Sequence, residues 1–266
     1  STAQTATTIL TASKPSLSLG LAPSDTSPSS ITDVMWQYGV LGVEHILSGW
    51  DHLAFVLSLL FLVQYSRHAA LIATGFTVAH SITLCLSILG YVQVDILAVE
   101  AVIGFSIALV AAEGLAKTHS QTQRQLWWYV VAGLVCLIIL RLIGIGYLPL
   151  LLLMGLLLFS ACYLRLIQLS HSPIYWHISL GLIFGLVHGF GFAAVLHTLQ
   201  LPPQALATAL LSFNMGVELG QLLVIITVWP LLIFIRKHAH PIWLTLLSAS
   251  LISLGTYWFV VRSMTQ

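Results

Sequence analysis

Glu44-His45-Ile46-Leu47-Ser48-Gly49-Trp50-Asp51-His52 runs without a pause into the apolar segment from Leu53 to Val63. Two histidines and two carboxylates this close together are ordinary on a water-facing surface. Next to a membrane span they are costly, because a charged group at mid-bilayer costs roughly 2.5–3.5 kcal/mol even on lenient insertion scales. If the stretch is helical, His45 and His52 lie two turns apart on nearly one face, and Glu44 and Asp51 form a second stripe beside them. Imidazole nitrogen with carboxylate oxygen is the donor set of a borderline divalent transition metal such as nickel, cobalt or zinc. The competing reading is a helix end at headgroup depth whose polar groups are simply wetted.

Composition supports the membrane setting. Of 266 residues, 58% are hydrophobic and 6% charged. The mean hydropathy of +0.99 is far above that of a water-soluble domain. A formal net charge of +1 argues against a nucleic-acid partner, which demands a basic face. Cys85, Cys136 and Cys162 all fall inside apolar runs, so neither a disulfide framework nor a cysteine metal cluster is indicated. The expected fold class is an all-α polytopic membrane protein, a bundle of about 7–8 transmembrane helices in contact with the lipid bilayer.

Residues 1–30 are rich in Ser, Thr, Ala and Pro and lack a sustained apolar period. They read as a flexible tail, with a domain division of 1–33 as extracytoplasmic tail and 34–266 as the helical membrane domain. A first residue of Ser rather than Met fits a removed signal peptide or an expression boundary. Apolar runs of spanning length follow near 50–65, 70–90, 96–116, 126–145, 148–168, 174–199, 204–235 and 241–261, with 34–48 extending the first helix or lying at the interface. Seven spans result if 126–168 is arranged differently around Gly144-Ile145-Gly146-Tyr147-Leu148-Pro149.

Arg67, Lys117, Arg124, Arg165, Arg236 and Lys237 sit in or beside alternate connections, whereas those around 91–95, 146–149 and 200–203 carry no Lys or Arg. The positive-inside rule then places the amino-terminal tail outside, in the cell (inner or plasma) membrane. Lys14, Arg141 and Arg262 are exceptions. Arg141 either snorkels outward or neutralises an acid.

That topology assigns a depth to every polar residue, at about 1.5 Å per helical residue. His52 comes out near the outer mouth of the first span and His80 near the midplane of the second. Glu100 lies a turn or so below the outer end of the third. His188 falls in the outer half of the sixth span, and Asn214 and Glu218 near the middle of the seventh. Agreement in depth across five spans points to one shared site. Asn214, Glu218 and Gln221 stand at i, i+4 and i+7, one stripe of a helix, while Gly216 and Gly220 permit close helix approach. For Asn214 and Gln221, interhelical hydrogen bonding is the stronger reading. For Glu218 and His188 a functional role is, since each needs a counter-charge or a metal at that depth.

Glu113 precedes Lys117 by four residues, the favourable order for a helical ion pair, and reads as structural. His68, His119, His171, His238 and His240 lie in loops or at span ends and read as solvated. His177 reads as a buried, hydrogen-bonded histidine, and His197 as turned away from His188.

Five segments together carry a resemblance: His45 with Asp51-His52-Leu53; Phe76-Thr77-Val78-Ala79-His80-Ser81-Ile82-Thr83-Leu84; Val99-Glu100; Gly185-Leu186-Val187-His188-Gly189-Phe190-Gly191-Phe192-Ala193; and Phe213-Asn214-Met215-Gly216-Val217-Glu218-Leu219-Gly220-Gln221. In this order they resemble the HupE/UreJ family, membrane proteins associated with hydrogenase and urease accessory functions and regarded as nickel permeases. The likeness runs from about residue 35 to 235. A looser likeness links the chain to the broader nickel/cobalt transporters, whose first His and Asp-His are separated by four residues; here five intervene. The resemblance implies Ni²⁺ or Co²⁺ handling, with His45, Asp51, His52 and His80 in the leading roles. It also leaves room for a homo-oligomer or for metalloenzyme-maturation partners.

The residues themselves leave two functions open. One is a metal-ion permease with His45, Asp51, His52, His80, Glu100, His188 and Glu218 as ligands. Glu44, Ser81, Asn214 and Gln221 would then line the path or support those ligands. The other is an intramembrane metalloenzyme in which the metal activates water and Glu218 or Asp51 is the base. In the inner half only His177, Glu113 and Ser160 could continue a polar path. There is no nucleotide-binding loop, so transport driven by this chain's own ATP hydrolysis is not expected.

Overall fold

The computed structural model describes residues 30–117, 120–170, 172–197 and 203–264. Among them are nine helices: α1 Ile31–Ser48, α2 Trp50–Leu62, α3 Ser66–Ile88, α4 Ile96–Ala116, α5 Ser120–Leu142, α6 Leu150–Leu169, α7 Pro173–His197, α8 Pro203–His238 and α9 Ile242–Met264. The helix boundaries follow local chemistry. Ser30 caps α1 by accepting from the Thr32 amide at 3.1 Å, and Asp95 caps α4 by accepting from Leu97 at 2.9 Å. Pro173 and Pro203 stand at the first positions of α7 and α8, where the missing N–H goes unused. Gly90 ends α3 with φ +77°, the left-handed cap conformation that glycine adopts without strain.

Seven of these helices are long and apolar enough to cross a membrane, and the pair α1–α2, bent by 71°, makes an eighth crossing if counted as one. Large apolar side chains such as Leu151, Leu158 and Ile226 stand exposed all round the bundle, as lipid contact requires. The chain is a polytopic helical membrane protein. The α5–α6 connection keeps two separate helices: Gly144 and Gly146 take positive φ (89° and 93°), and Tyr147 donates its amide to the Ser263 carbonyl of α9 at 2.9 Å.

Three close-packed seams hold the bundle: α3 with α7, α4 with α9, and α1 with α8. Each is made by glycine. A Cβ on Gly185 would strike the Phe76 backbone of α3, and one on Gly104 would approach the Phe259 amide of α9 to 2.7 Å. A Cβ on Gly42 would strike the Phe213 carbonyl of α8. Where only small residues fit, backbones approach closely and dispersion replaces the hydrophobic drive that lipid cannot supply.

The α1–α8 seam corrects the expected depth of the first histidines. Gly39 meets Ser212, Gly42 meets Gly216 and Ile46 meets Gly220, so the two helices run side by side in the same direction. At the far end of α8, Arg236 donates to the Leu60 and Val63 carbonyls of α2 at 3.0 and 3.2 Å. The first crossing therefore starts at Ile31, and the break at Gly49 lies within it rather than at its mouth. Three residues counted with the tail, Ile31 to Asp33, belong to α1. Residues 1–29 of the tail with Lys14, His119, His171 and the side chain of His197 lie outside the described residues.

Candidate metal centre

The break between α1 and α2 builds the site. Gly49 is the shared cap, and its amide donates to the His45 carbonyl at 3.0 Å. A Cβ there would meet that carbonyl at 2.8 Å and His52 Nδ1 at 3.0 Å. The bare backbone lets the chain turn while keeping His45, at the end of α1, against His52, at the start of α2. Their ring centroids are 4.5 Å apart. His80 from α3 stands 6.3 Å from both, and His188 from α7 stands 5.4 Å from His52. One nitrogen each of His45, His52 and His80 fall within 4.8 Å of one another.

His52, His80 and His188 are buried, the last two 0% and 1% exposed, and His45 is half-buried. Their free nitrogens have no hydrogen-bond partner: Nε2 of His45, His52 and His188, and both nitrogens of His80. A buried polar atom without a partner costs about 1–3 kcal/mol, so several facing one another call for a common occupant. Around a tetrahedral ion with metal–nitrogen bonds of about 2.1 Å, ligand nitrogens stand about 3.4 Å apart, a contraction that small side-chain shifts supply. The donor set fits such an ion.

Supporting contacts fix the ring orientations. His188 Nδ1 lies 2.8 Å from the Phe184 carbonyl, so it donates there and leaves Nε2 as the free lone pair. His52 Nδ1 lies 3.0 Å from Asp51 Oδ1, which also accepts the His52 amide at 2.9 Å. Asp51 thus orients His52 as a neighbouring carboxylate and is not among the residues whose donor atoms gather within 4.8 Å. Phe192 packs on His45 with centroids 3.8 Å apart and stacks on Phe213. Phe55 and Phe76 pack under His188, at 5.1 and 4.9 Å, and Phe184 joins Phe55 below.

Of the other expected residues, Asn214 stands beside His80, and the two acids have partners elsewhere. Glu100 pairs with Arg262 of α9 at 3.3 Å. Glu218 Oε1 accepts from Thr74 at 2.6 Å, while its Oε2 has no partner. Gln221 accepts from Thr77 at 3.0 Å, and Asn214 donates to the Leu210 carbonyl at 2.8 Å with Oδ1 unpaired. Asn214 and Ser81 line a cavity of about 450 Å³ between α3 and α8. Glu44 is exposed on the outer face of α1, at the rim of an apolar groove that Trp36 and Met215 also line. Arg141 donates to the Leu148 carbonyl at 3.0 Å, the outward snorkel rather than an acid partner.

Sequence reading did not single out the aromatic lining, although Phe76, Phe192 and Phe213 stand inside the quoted segments. The signal was there: each is within four residues of a site histidine or of Asn214. Arg262 as the partner of Glu100, and Thr74 as that of Glu218, have no local signal.

A bundle of seven or eight apolar crossings with a histidine cluster at the bent α1–α2 pair defines the class: a polytopic helical membrane protein whose clustered histidines could hold a metal ion. A family model described as HupE / UreJ protein matches residues 23–138 and 159–262, and the chain belongs to that family. No curated protein and no solved structure matches it.

Proposed function

We propose that this chain is a permease for a divalent transition metal, with nickel or cobalt the favoured cargo and zinc compatible with the donors. The carrying observation is the convergence of three imidazoles, His45, His52 and His80, with one nitrogen each within 4.8 Å, beside His188, and with unpartnered nitrogens on all four. Family membership supports it, since the HupE/UreJ family is linked to nickel and cobalt handling. In this reading His45, His52, His80 and His188 take the place of lost waters. Asp51 supplies negative charge beside His52, and Glu218 and Glu100 act elsewhere on the path. Neutral, separately mobile imidazoles hold an ion firmly enough to dehydrate it and loosely enough to release it.

Entry from the end opposite Lys117 suits the cavity beside Asn214 and Ser81. Phe55, Phe76 and Phe184 form the floor toward the basic end, so passage requires these rings to part. That floor is the one observation favouring the second reading, a metal-dependent intramembrane enzyme. A general base at the cluster would be needed: Asp51 is held by His52, and Glu218, whose Oε2 is unpartnered, is not among the residues gathered within 4.8 Å. The permease reading is therefore preferred.

The test pairs equilibrium metal binding by the purified protein with uptake into proteoliposomes. The expected outcome is nickel or cobalt binding and uptake, both lost in His52→Ala and His80→Ala. Tight binding without uptake under an imposed metal or proton gradient sinks the permease and favours the enzyme. No binding of any transition metal sinks both.

A further inference from the structure

At the basic end of the bundle a second set of donors converges, and a cation belonging to the chain fills its centre. Lys117 Nζ lies 3.0 Å from His177 Nε2, 3.4 Å from Glu113 Oε1 and 3.3 Å from the Leu62 carbonyl oxygen. Glu113 Oε1 and His177 Nε2 are 2.8 Å apart, and the Tyr163 hydroxyl donates to Glu113 Oε2 at 2.7 Å. Carboxylate, imidazole and carbonyl thus come from α4, α7 and α2, with a tyrosine of α6 bracing the carboxylate. A helical ion pair would need only Glu113 and Lys117. Recruiting a buried histidine, a helix-end carbonyl and a buried tyrosine makes a cradle instead.

We propose that this cradle is a second site for a divalent transition-metal cation, at which the ion and the Lys117 ammonium compete. The burial pattern suits exchange. The Glu113 and His177 side chains are 1% and 4% exposed, whereas that of Lys117 is 28% exposed and can swing to water. The exchange balances simply: the hydrated ion sheds waters to the cradle, and Lys117 leaves with its proton, no covalent bond changing. Without either cation, the buried Glu113 carboxylate would keep only its contacts to Tyr163 and His177, a loss that destabilises the fold. The cradle shares two helices with the outer cluster. His177 and His188 are both on α7, and Leu62 and His52 are both on α2, about 15 Å apart along each axis. The aromatic floor lies between. The site deepens the permease reading as a station on the release side and rests on that reading only for the class of ion.

Lys117→Met keeps the apolar stem and removes the charge, and Lys117→Gln provides an independent second variant. Nickel or cobalt is titrated into each purified protein, reading bound metal per chain and thermal unfolding. Each variant is expected to bind one more ion per chain than the wild type. Each should also unfold at a lower temperature without metal and recover when metal is added. Adding His177→Gln to Lys117→Met should remove the extra ion, whereas adding His52→Ala should retain it. If wild type binds nothing while Lys117→Met binds an ion that depends on His177, the outer cluster fails as a metal site and the cradle stands. If neither lysine variant gains an ion, or the gained ion persists in the His177→Gln double variant, the proposal is overturned.

Discussion

At the scale of single residues, the difference between a ligand and its support is set by which atom faces the cluster. Asp51 faces His52 Nδ1, so it fixes the tautomer and orientation of that ring and strengthens Nε2 as a donor. Removing its charge while keeping its shape, as in Asp51→Asn, is expected to weaken metal binding by about 10–100-fold, the range for such supporting groups. His52→Ala and His80→Ala remove a proposed ligand outright and should weaken binding at least as much. Glu100→Gln should leave affinity unchanged because that carboxylate is held by Arg262, away from the rings. His68→Ala and His240→Ala should also leave it unchanged. Isothermal titration with nickel checks the series; equal losses in Glu100→Gln and His52→Ala would contradict this assignment. Protons and metal compete for the same lone pairs, so affinity should fall on acidification and rise toward neutral pH, with protons released on binding. A pH-independent affinity would point to carboxylate or carbonyl ligands instead.

At the scale of elements, glycine seams set where the histidines stand. Gly185 lets α7 come down on Phe76 of α3, and these two helices carry His188 and His80. Gly185→Ala forces the backbones apart and is expected to cost about 1–3 kcal/mol, as overpacking does. Metal binding should weaken in the same variant, because the two histidines separate. Gly133→Ala is the control: nothing lies within 4 Å of a Cβ there, and alanine is the better helix former. It should be neutral or slightly stabilising. Thermal unfolding in detergent reads both, and a Gly185→Ala protein as stable as Gly133→Ala would refute the close-packing argument. The bend at Gly49 is the other decisive element. A broken helix exposes an end to the interior, and such ends are tolerated in a membrane only where they are buried or line a cavity.

At the scale of the whole molecule, eight crossings bring the start of α1 and the end of α9 to the same end of the bundle. Arg67, Lys117 and Arg236 gather at the other end, which the lysine and arginine bias assigns to the cytoplasm. Single cysteines placed before Val34 and in the 117–125 connection, in a chain whose three native cysteines have been replaced, should differ in reactivity. An impermeant thiol reagent applied to intact cells should label the first and spare the second. Labelling of the connection from outside would invert the scheme. In the proposed permease, that orientation would have the four histidines reached first and the Lys117 cradle nearer the release side.

Sequence alone determined the all-helical membrane class, most of the span positions, and the set of histidines worth attention. Hydropathy and the cost of burying polar groups are local properties that a one-dimensional reading captures. His80 and His188 emerged because each is an ionisable residue deep in an apolar run. Depth along a helix, however, says nothing of rotation about its axis. Glu100, Glu218 and the histidines share similar depths, yet Glu100 turns to Arg262 and Glu218 to Thr74, because packing against particular neighbours fixes each azimuth. Likewise, Glu113 and Lys117 were legible as an i,i+4 pair, while His177, Tyr163 and the Leu62 carbonyl reached them only through tertiary packing. The first span was the clearest divergence. Its polar stretch looked like a helix mouth because charge near apolar sequence signals an end. Only the glycine contacts between α1 and α8 revealed a break inside the crossing, since backbone approach between distant segments leaves no periodicity in either one.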